Sequence, residues 1–220
     1  MREIDSRAPR REDLTILPLT PERWHDLEQL FGARGACGGC WCMTPRLTRA
    51  QYERQKGEGN RRALRALVHA GQVPGILAYL DGQPVGWCSI GPRESFSALA
   101  RSRILRPVDE QAVWSIVCFF VRREQRGKGL SVALIEGAVE YARTRGARIV
   151  EAYPVEPRKT PMPAVFAYTG IAAAFRKAGF EAVARRSEGR PVMRRSVPAG
   201  RAARSPGSGA RRTGASRRRR

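Results

Sequence analysis

The sequence predicts an α/β domain in which a central mixed β-sheet is flanked by α-helices, and three observations carry that expectation. Apolar runs of strand length alternate with segments of helical period along most of the chain. The long apolar run AVWSIVCFF is followed by a helical segment and then by a second run, ARIVEAYPV, an order expected of a crossover between parallel strands. Asp81-Gly82 and Glu188-Gly189 each separate two apolar runs, as hairpin turns do.

Residues 14–19, LTILPL, alternate like a strand. Thr20 as N-cap, Pro21 at the first helical position and Gly32 past the end then bound a helix. After a loop rich in Gly and Cys, LTRAQYERQ and NRRALRALVHAG read as helices, the second with Asn60 as cap and Gly71 as stop. The hairpin around Asp81-Gly82 is antiparallel. Residues 111–121 form a longer, mostly apolar strand that belongs in the middle of the sheet. Leu130, Leu134, Ala138 and Tyr141 share one helical face before Gly146 stops the helix. The strand ARIVEAYPV follows, then a short helix with Thr169 as cap and Gly179 as stop, then the hairpin around Glu188-Gly189.

With 220 residues the chain suits a single domain able to bury a core. Its formal charge is +21, but eight arginines lie in the last twenty residues, where no acid occurs. That segment has almost no large apolar side chain and cannot bury enough surface to offset its ordering entropy. The expected organisation is a flexible basic N-terminus over residues 1–12, one domain over 13–196 and a disordered Arg-rich tail over 197–220, the tail making weak contact with nucleic acid. A signal peptide and a membrane partner are not expected, because the N-terminus is charged and the longest apolar run has strand length. Five cysteines, an odd number, fit a reducing compartment, and the expected location is cytoplasmic.

The stretch VRREQRGKGLSVAL joins the end of the long strand to the start of a helix through a turn crowded with Arg and Gly. Unpaired N–H groups and the positive end of the helix dipole make such a turn an anion site. Two phosphate loops are excluded by spacing. A nucleotide P-loop needs Ser or Thr where Gly129 stands, and a dinucleotide fingerprint needs Gly where Val132 stands.

Arg126-Gly127-Lys128-Gly129-Leu130-Ser131 resembles the pyrophosphate loop of the GNAT acetyltransferase superfamily, with Ser131 departing from the last position. The resemblance extends over roughly residues 13–196: hairpin, long strand, loop, helix, strand and the FRKAGF helix end come in the family's order. It implies acetyl-CoA as cofactor, with a bulged strand that splays from its neighbour and leaves a gap for the pantetheine arm. Main-chain groups of Phe119, Phe120 and Val121 would then meet pantetheine, and Arg126, Gly127, Lys128, Gly129, Leu130 and Ser131 the pyrophosphate. The implied activity is N-acetyl transfer to a primary amine, on a small molecule or a peptide, by direct attack in a ternary complex. The alternative is a non-catalytic acyl-CoA-binding or nucleic-acid-associated protein with a degenerate site.

The family's tyrosine acid falls at Phe175, which has no proton to donate. Tyr168, upstream, is the candidate substitute, with packing as its other reading. Glu151, on the strand beside the implied gap, is the candidate base, ahead of Asp109 and Glu110; His25 and His69 lie on expected helices. Cys37, Cys40 and Cys42 read as an ordered loop, a partial zinc site with a ligand such as His25, or a redox group, and no metal is assigned. The resemblance places Trp41 and Met43 on the acceptor side, and Cys118 in the long strand as core packing or an acyl carrier.

Overall fold

In the computed structural model, which describes residues 14–157 and 164–198, β1 (Leu14–Pro18) leads through a 3-10 turn to α1 (Trp24–Phe31). A long loop then reaches α2 (Arg49–Gln55) and α3 (Glu58–His69). β2 (Gly75–Leu80) and β3 (Gln83–Pro92) form the first hairpin, and a short α4 (Ser97–Arg101) precedes β4 (Trp114–Val121). α5 (Leu130–Thr144) crosses to β5 (Ile149–Ala152), and α6 (Ala172–Lys177) leads to β6 (Glu181–Arg185) and β7 (Pro191–Ser196). The strands form one mixed sheet in the order β1-β2-β3-β4-β5-β7-β6, in which β4 and β5 are parallel.

The crossover follows from the period of α5. Leu130, Leu134, Ile135, Ala138, Val139 and Ala142 are buried on one side of it, and they meet β2, β3 and β5 residues such as Ile76, Ile90 and Val150. The other face of the sheet is covered by α1 and α3, where Leu27, Phe31, Leu64 and Val68 pack on Leu77, Trp87 and Val117. The hairpin turn takes φ of 50° at Asp81 and 72° at Gly82, the paired left-handed residues that bring two twisted strands back on each other.

Several boundaries differ from the sequence reading for identifiable reasons. Asn60 does not cap α3: it lies inside the helix, fully buried, and its amide donates to the Gly39 carbonyl at 3.1 Å. Thr169 does not cap α6, whose N-cap is Ile171, and Thr20 forms no side-chain cap bond. Residues 111–113 stay outside β4, and α4 was not anticipated. The last hairpin itself is as expected, and within it β7 lies against β5, because Val192 and Met193 are apolar enough to be sealed while β6 is mostly exposed. Val197, expected in the tail, is buried and its N–H donates to the Arg148 carbonyl at 2.8 Å. The expected N-terminal segment 1–12 and the expected tail from residue 199 onward lie outside the described residues.

Leu134 has no exposed surface and packs at the centre of the crossover. Leu134→Ala is expected to lower unfolding free energy by about 2–5 kcal/mol in urea titration.

Candidate active site

β4 changes neighbours partway along its length. Its register with β3 shifts so that Ser89 faces Cys118 and Ile90 faces Ile116, which leaves Val117 as an extra, bulged residue. Its pairing with β5 ends at Ile116 and Ala152. Beyond that point the two strands part. Residues 168–172 fill the mouth of the gap. On one side the Tyr168 carbonyl accepts from the Phe119 N–H at 2.6 Å, and on the other the Gly170 carbonyl accepts from the Val155 N–H at 2.9 Å.

Arg122 donates its N–H to the Val85 carbonyl on the β3 side, so the alternation along the strand turns the main chain of Phe120 toward β3 as well and those of Phe119 and Val121 toward the gap. Only two of the three expected strand positions therefore present main-chain groups there. Phe119 is engaged with Tyr168, and the Val121 carbonyl accepts from Arg126 Nε at 3.1 Å. The Phe120 contribution is its ring, which stands 5.5 Å from that of Phe31.

β4 runs into a 3-10 turn (Arg123–Gln125) and then the glycine turn that starts α5. Gly127 and Gly129 have φ of 76° and 83°, and Gly129 caps the helix without any side-chain bond to its first turn. A side chain at either glycine would meet nothing within 4 Å on the protein side. The glycines therefore serve backbone shape and leave the space in front of the helix N-terminus open, the geometry of an anion site. Leu130 is buried and anchors the helix, while Ser131 is exposed and Lys128 half-buried.

The wall opposite β4 is the Gly- and Cys-rich loop. Ala36, Trp41 and Cys42 all have positive φ (67°, 44° and 53°), a conformation that costs about 1–3 kcal/mol for each non-glycine residue and persists only where packing imposes it. Trp41 stacks on Trp24 at 6.2 Å, and Cys42 Sγ accepts from the buried Trp87 indole N–H at 3.1 Å. Gly39 sits so close to Gly57 that a β-carbon would lie 2.6 Å from its nitrogen. Trp41 and Met43, expected at the acceptor side, are instead buried beneath the loop. The surfaces facing β4 are those of Cys37, Cys40, Cys42, Thr44 and Pro45, which with Cys118, Phe119, Phe120, Phe166 and Tyr168 enclose a cavity of about 280 Å3.

The candidate catalytic residues fall in different places. Tyr168, 40% exposed, lines this cavity. Glu151 is fully buried and does not. Its Oε1 accepts from Arg93 at 2.7 Å and from the Tyr153 hydroxyl at 2.5 Å, and its Oε2 accepts from Arg194 at 2.7 Å. Both oxygens are engaged by cations or a hydroxyl and the residue does not line the cavity, so the carboxylate is a strut between β3, β5 and β7. Asp109 completes the strut through Arg194, whose hydrogen bonds lower the Asp109 carboxyl to about 2. A hydrogen bond with Cys42 and then burial hold the Cys118 thiol well above its usual range, which suits packing and not an acyl carrier. His25 is exposed on α1 beside Glu28, far from the role of a thiol partner. Among the described residues no group of three or more His, Cys, Asp or Glu is arranged to hold a metal.

Sequence reasoning missed Arg93, Arg194 and Tyr153, which hold Glu151, and the cavity walls at Thr44, Tyr52 and Phe166. No local pattern marks them, because they come from six separate segments. The family model described as the acetyltransferase (GNAT) family matches residues 41–168, more than half of the chain. The chain belongs to the GNAT acetyltransferase family.

A GNAT acetyltransferase from Listeria monocytogenes is similar in fold, with 11% identity, a TM-score of 0.51, and coverage of 84% of this chain and 95% of that one. Another from Streptococcus agalactiae has 13% identity and a TM-score of 0.50, over 84% of this chain and 96% of its own. An N-acetyltransferase from Thermoplasma acidophilum in complex with coenzyme A has 13% identity and a TM-score of 0.48, over 84% of this chain and 99% of its own. No curated protein sequence matches the chain. The GNAT family is thus shown by the family model, and the β4 bulge, the glycine turn and the adjoining cavity form the candidate site. No helix among the described residues is long and apolar enough to cross a membrane.

Two substitutions test this geometry. Gly170 has φ of 84°, and a β-carbon there would come within 2.7 Å of the Phe175 ring and 3.1 Å of Phe119. Gly170→Ala is expected to destabilise the protein by about 1–3 kcal/mol in thermal or urea unfolding. Glu151→Gln leaves Arg93, its side chain 13% exposed, without its carboxylate partner, and Arg194, 10% exposed, with Asp109 alone. A loss of about 3 kcal/mol or more in unfolding free energy is expected. Unchanged stability with a large fall in turnover would instead mark Glu151 as a base.

Proposed function

We propose that this GNAT chain transfers an acetyl group from acetyl-CoA to a primary amine by direct attack within a ternary complex. The observation that carries the reading is the parting of β4 from β5, which opens one gap onto both the glycine turn before α5 and the cavity at Cys118–Phe120.

Acetyl-CoA would supply an activated carbonyl and a thiol leaving group. The residues present suit it: Gly127 and Gly129 keep the front of the helix open, and Arg126, Lys128 and the first N–H groups of α5 provide positive charge for a pyrophosphate. Leu130 holds that turn in the core and Ser131 leaves its outer side small. Main-chain groups of Phe119 and Val121, turned to the gap, are the partners available to pantetheine, and the Phe119 N–H is released when the Tyr168 carbonyl yields it. The Phe120 ring borders the cavity in which the amine is held.

Phe175 is fully buried between Phe119 and Phe180 and has no acidic proton to donate. Tyr168 lines the cavity next to Phe119, to whose N–H its carbonyl is bonded, and we assign its hydroxyl the donation of a proton to the departing sulfur. Glu151 is not assigned the base, and the amine proton leaves through solvent at the exposed rim.

Calorimetric titration with acetyl-CoA tests the reading. Gly129→Glu places a carboxylate where the pyrophosphate would lie and is expected to weaken binding by ~100-fold, on the order of 3 kcal/mol, with the far-UV spectrum unchanged. Equal affinity in the wild type and Gly129→Glu would overturn it.

A further inference from the structure

The cavity against β4 has a chemistry that says more about the acceptor than its position does. Its described lining contains thiols, hydroxyls, hydrocarbon and aromatic rings, and no carboxylate, ammonium, guanidinium or imidazole. Most of the surface is rings and aliphatic carbon from Ala36, Pro45, Phe119, Phe120 and Phe166. At one corner Cys40 Sγ lies 3.1 Å from Thr44 Oγ1, and the Tyr52 hydroxyl bonds with both Thr44 and Cys40. Burial holds the Cys40 thiol and the Tyr52 phenol above their usual ranges, so both stay neutral near pH 7. The corner thus offers neutral hydrogen-bonding groups at the end of an apolar slot.

The size sets a second limit. A cavity of about 150 Å3 is enough for benzene, and drug-sized ligands fill about 300–1,000 Å3. At about 280 Å3 the space suits one aromatic ring with its amine and one small substituent. A polyamine sugar or a folded peptide segment would leave most of its bulk outside it.

Charge supplies the third limit. An alkylamine resembles lysine, with a pKa of ~10.4, and reaches an enzyme as a cation. Desolvating that cation in a cavity whose described lining holds no counter-charge costs more than the ring faces return. It must also lose a proton before its nitrogen can attack, yet the buried carboxylate among the described residues, Glu151, is locked between Arg93 and Arg194 and does not line the cavity. An arylamine has neither difficulty. Its lone pair is delocalised into the ring, it is uncharged near pH 7, and it needs no base to be neutralised before attack.

We propose that the acceptor is a neutral, single-ring arylamine carrying one small hydrogen-bonding substituent, with its ring against Phe119, Phe120 and Phe166 and its substituent at Thr44 and Tyr52. This rests on the acetyl-transfer reading above. The amine nitrogen forms a bond to the acetyl carbon as the carbon–sulfur bond breaks. The electron pair of that bond goes to sulfur, and the proton lost from nitrogen balances the one that converts the leaving thiolate to free CoA thiol.

The experiment uses the full chain and acetyl-CoA, with 4-methoxyaniline, aniline, phenethylamine and lysine as acceptors and acetylated product read by mass spectrometry. The expected result is a kcat/KM for 4-methoxyaniline at least ~10-fold above that for phenethylamine at pH 7, with little change between pH 6 and 9 because the acceptor is neutral throughout. Thr44→Val is expected to raise KM for 4-methoxyaniline relative to that for aniline. Preference for phenethylamine or lysine, or arylamine turnover that rises about tenfold per pH unit, would overturn the proposal. So would efficient use of benzoyl-CoA with small alkylamines, which would give the cavity to the acyl group. Calorimetric binding of acetyl-CoA without arylamine turnover sinks this inference alone, whereas absence of acetyl-CoA binding sinks both it and the acetyl-transfer reading.

Discussion

β4 has strand partners on both sides as far as Ile116 and on one side only beyond it, and the extra residue at Val117 marks where that change occurs. A bulge does two things at once: it ends regular pairing and it shifts the alternation of side chains. Val117 and Cys118, adjacent in sequence, accordingly both pack into the cluster beneath α1. The same shift brings Cys118 and Phe120 to the cavity while the amides of Phe119 and Val121 turn into the gap between the strands. The gap and the cavity are therefore two consequences of one irregularity, held on a strand whose other edge stays paired to β3 on both sides of the bulge.

The root of the gap is fixed by charge. Glu151 opposes Ser115 on β4, and its carboxylate joins Arg93 at the end of β3 to Arg194 on β7, with Tyr153 and Ser115 hydrogen-bonded beside it. A buried ion pair is a weak source of net stability, because desolvation offsets much of the attraction, but it tolerates little displacement. Here it holds β3, β5 and β7 together beside the point where β5 must begin to separate from β4. Arg93 also donates to the Leu105 carbonyl, which ties the loop before β4 to the same centre.

Long-range and local electrostatics have been given different tasks. The chain as a whole carries +21, with Arg126 and Lys128 at the turn before α5, a field that attracts a polyanion such as a nucleotide-bearing thioester. The described cavity wall beyond the gap is neutral. It is built by a loop that accepts three strained residues at Ala36, Trp41 and Cys42, held by Trp24, Trp87 and Asn60. Strain concentrated on the wall of a cavity is the usual position for a surface shaped to a ligand.

Much of this was legible in the sequence. The hairpin turn needs two left-handed residues in a row and Asp81-Gly82 supplies them; the period of α5 and the runs on either side of it imply a parallel crossover; Gly127 and Gly129 announce a turn open to an anion. These are local properties, decided by backbone sterics and side-chain period over a few residues. The roles of Glu151, Asn60, Trp41 and Phe120 were decided elsewhere. Whether a carboxylate is a base or a strut depends on Arg93 and Arg194, which lie 58 and 43 residues away. Asn60 looks like a cap until Gly39 arrives to take its amide, and Trp41 looks like a cavity wall until Trp24 and Phe31 bury it. Local sterics are written in adjacent residues, but partners for charge, ring and amide are chosen only when distant segments pack, and the chemistry of the site is made of those choices.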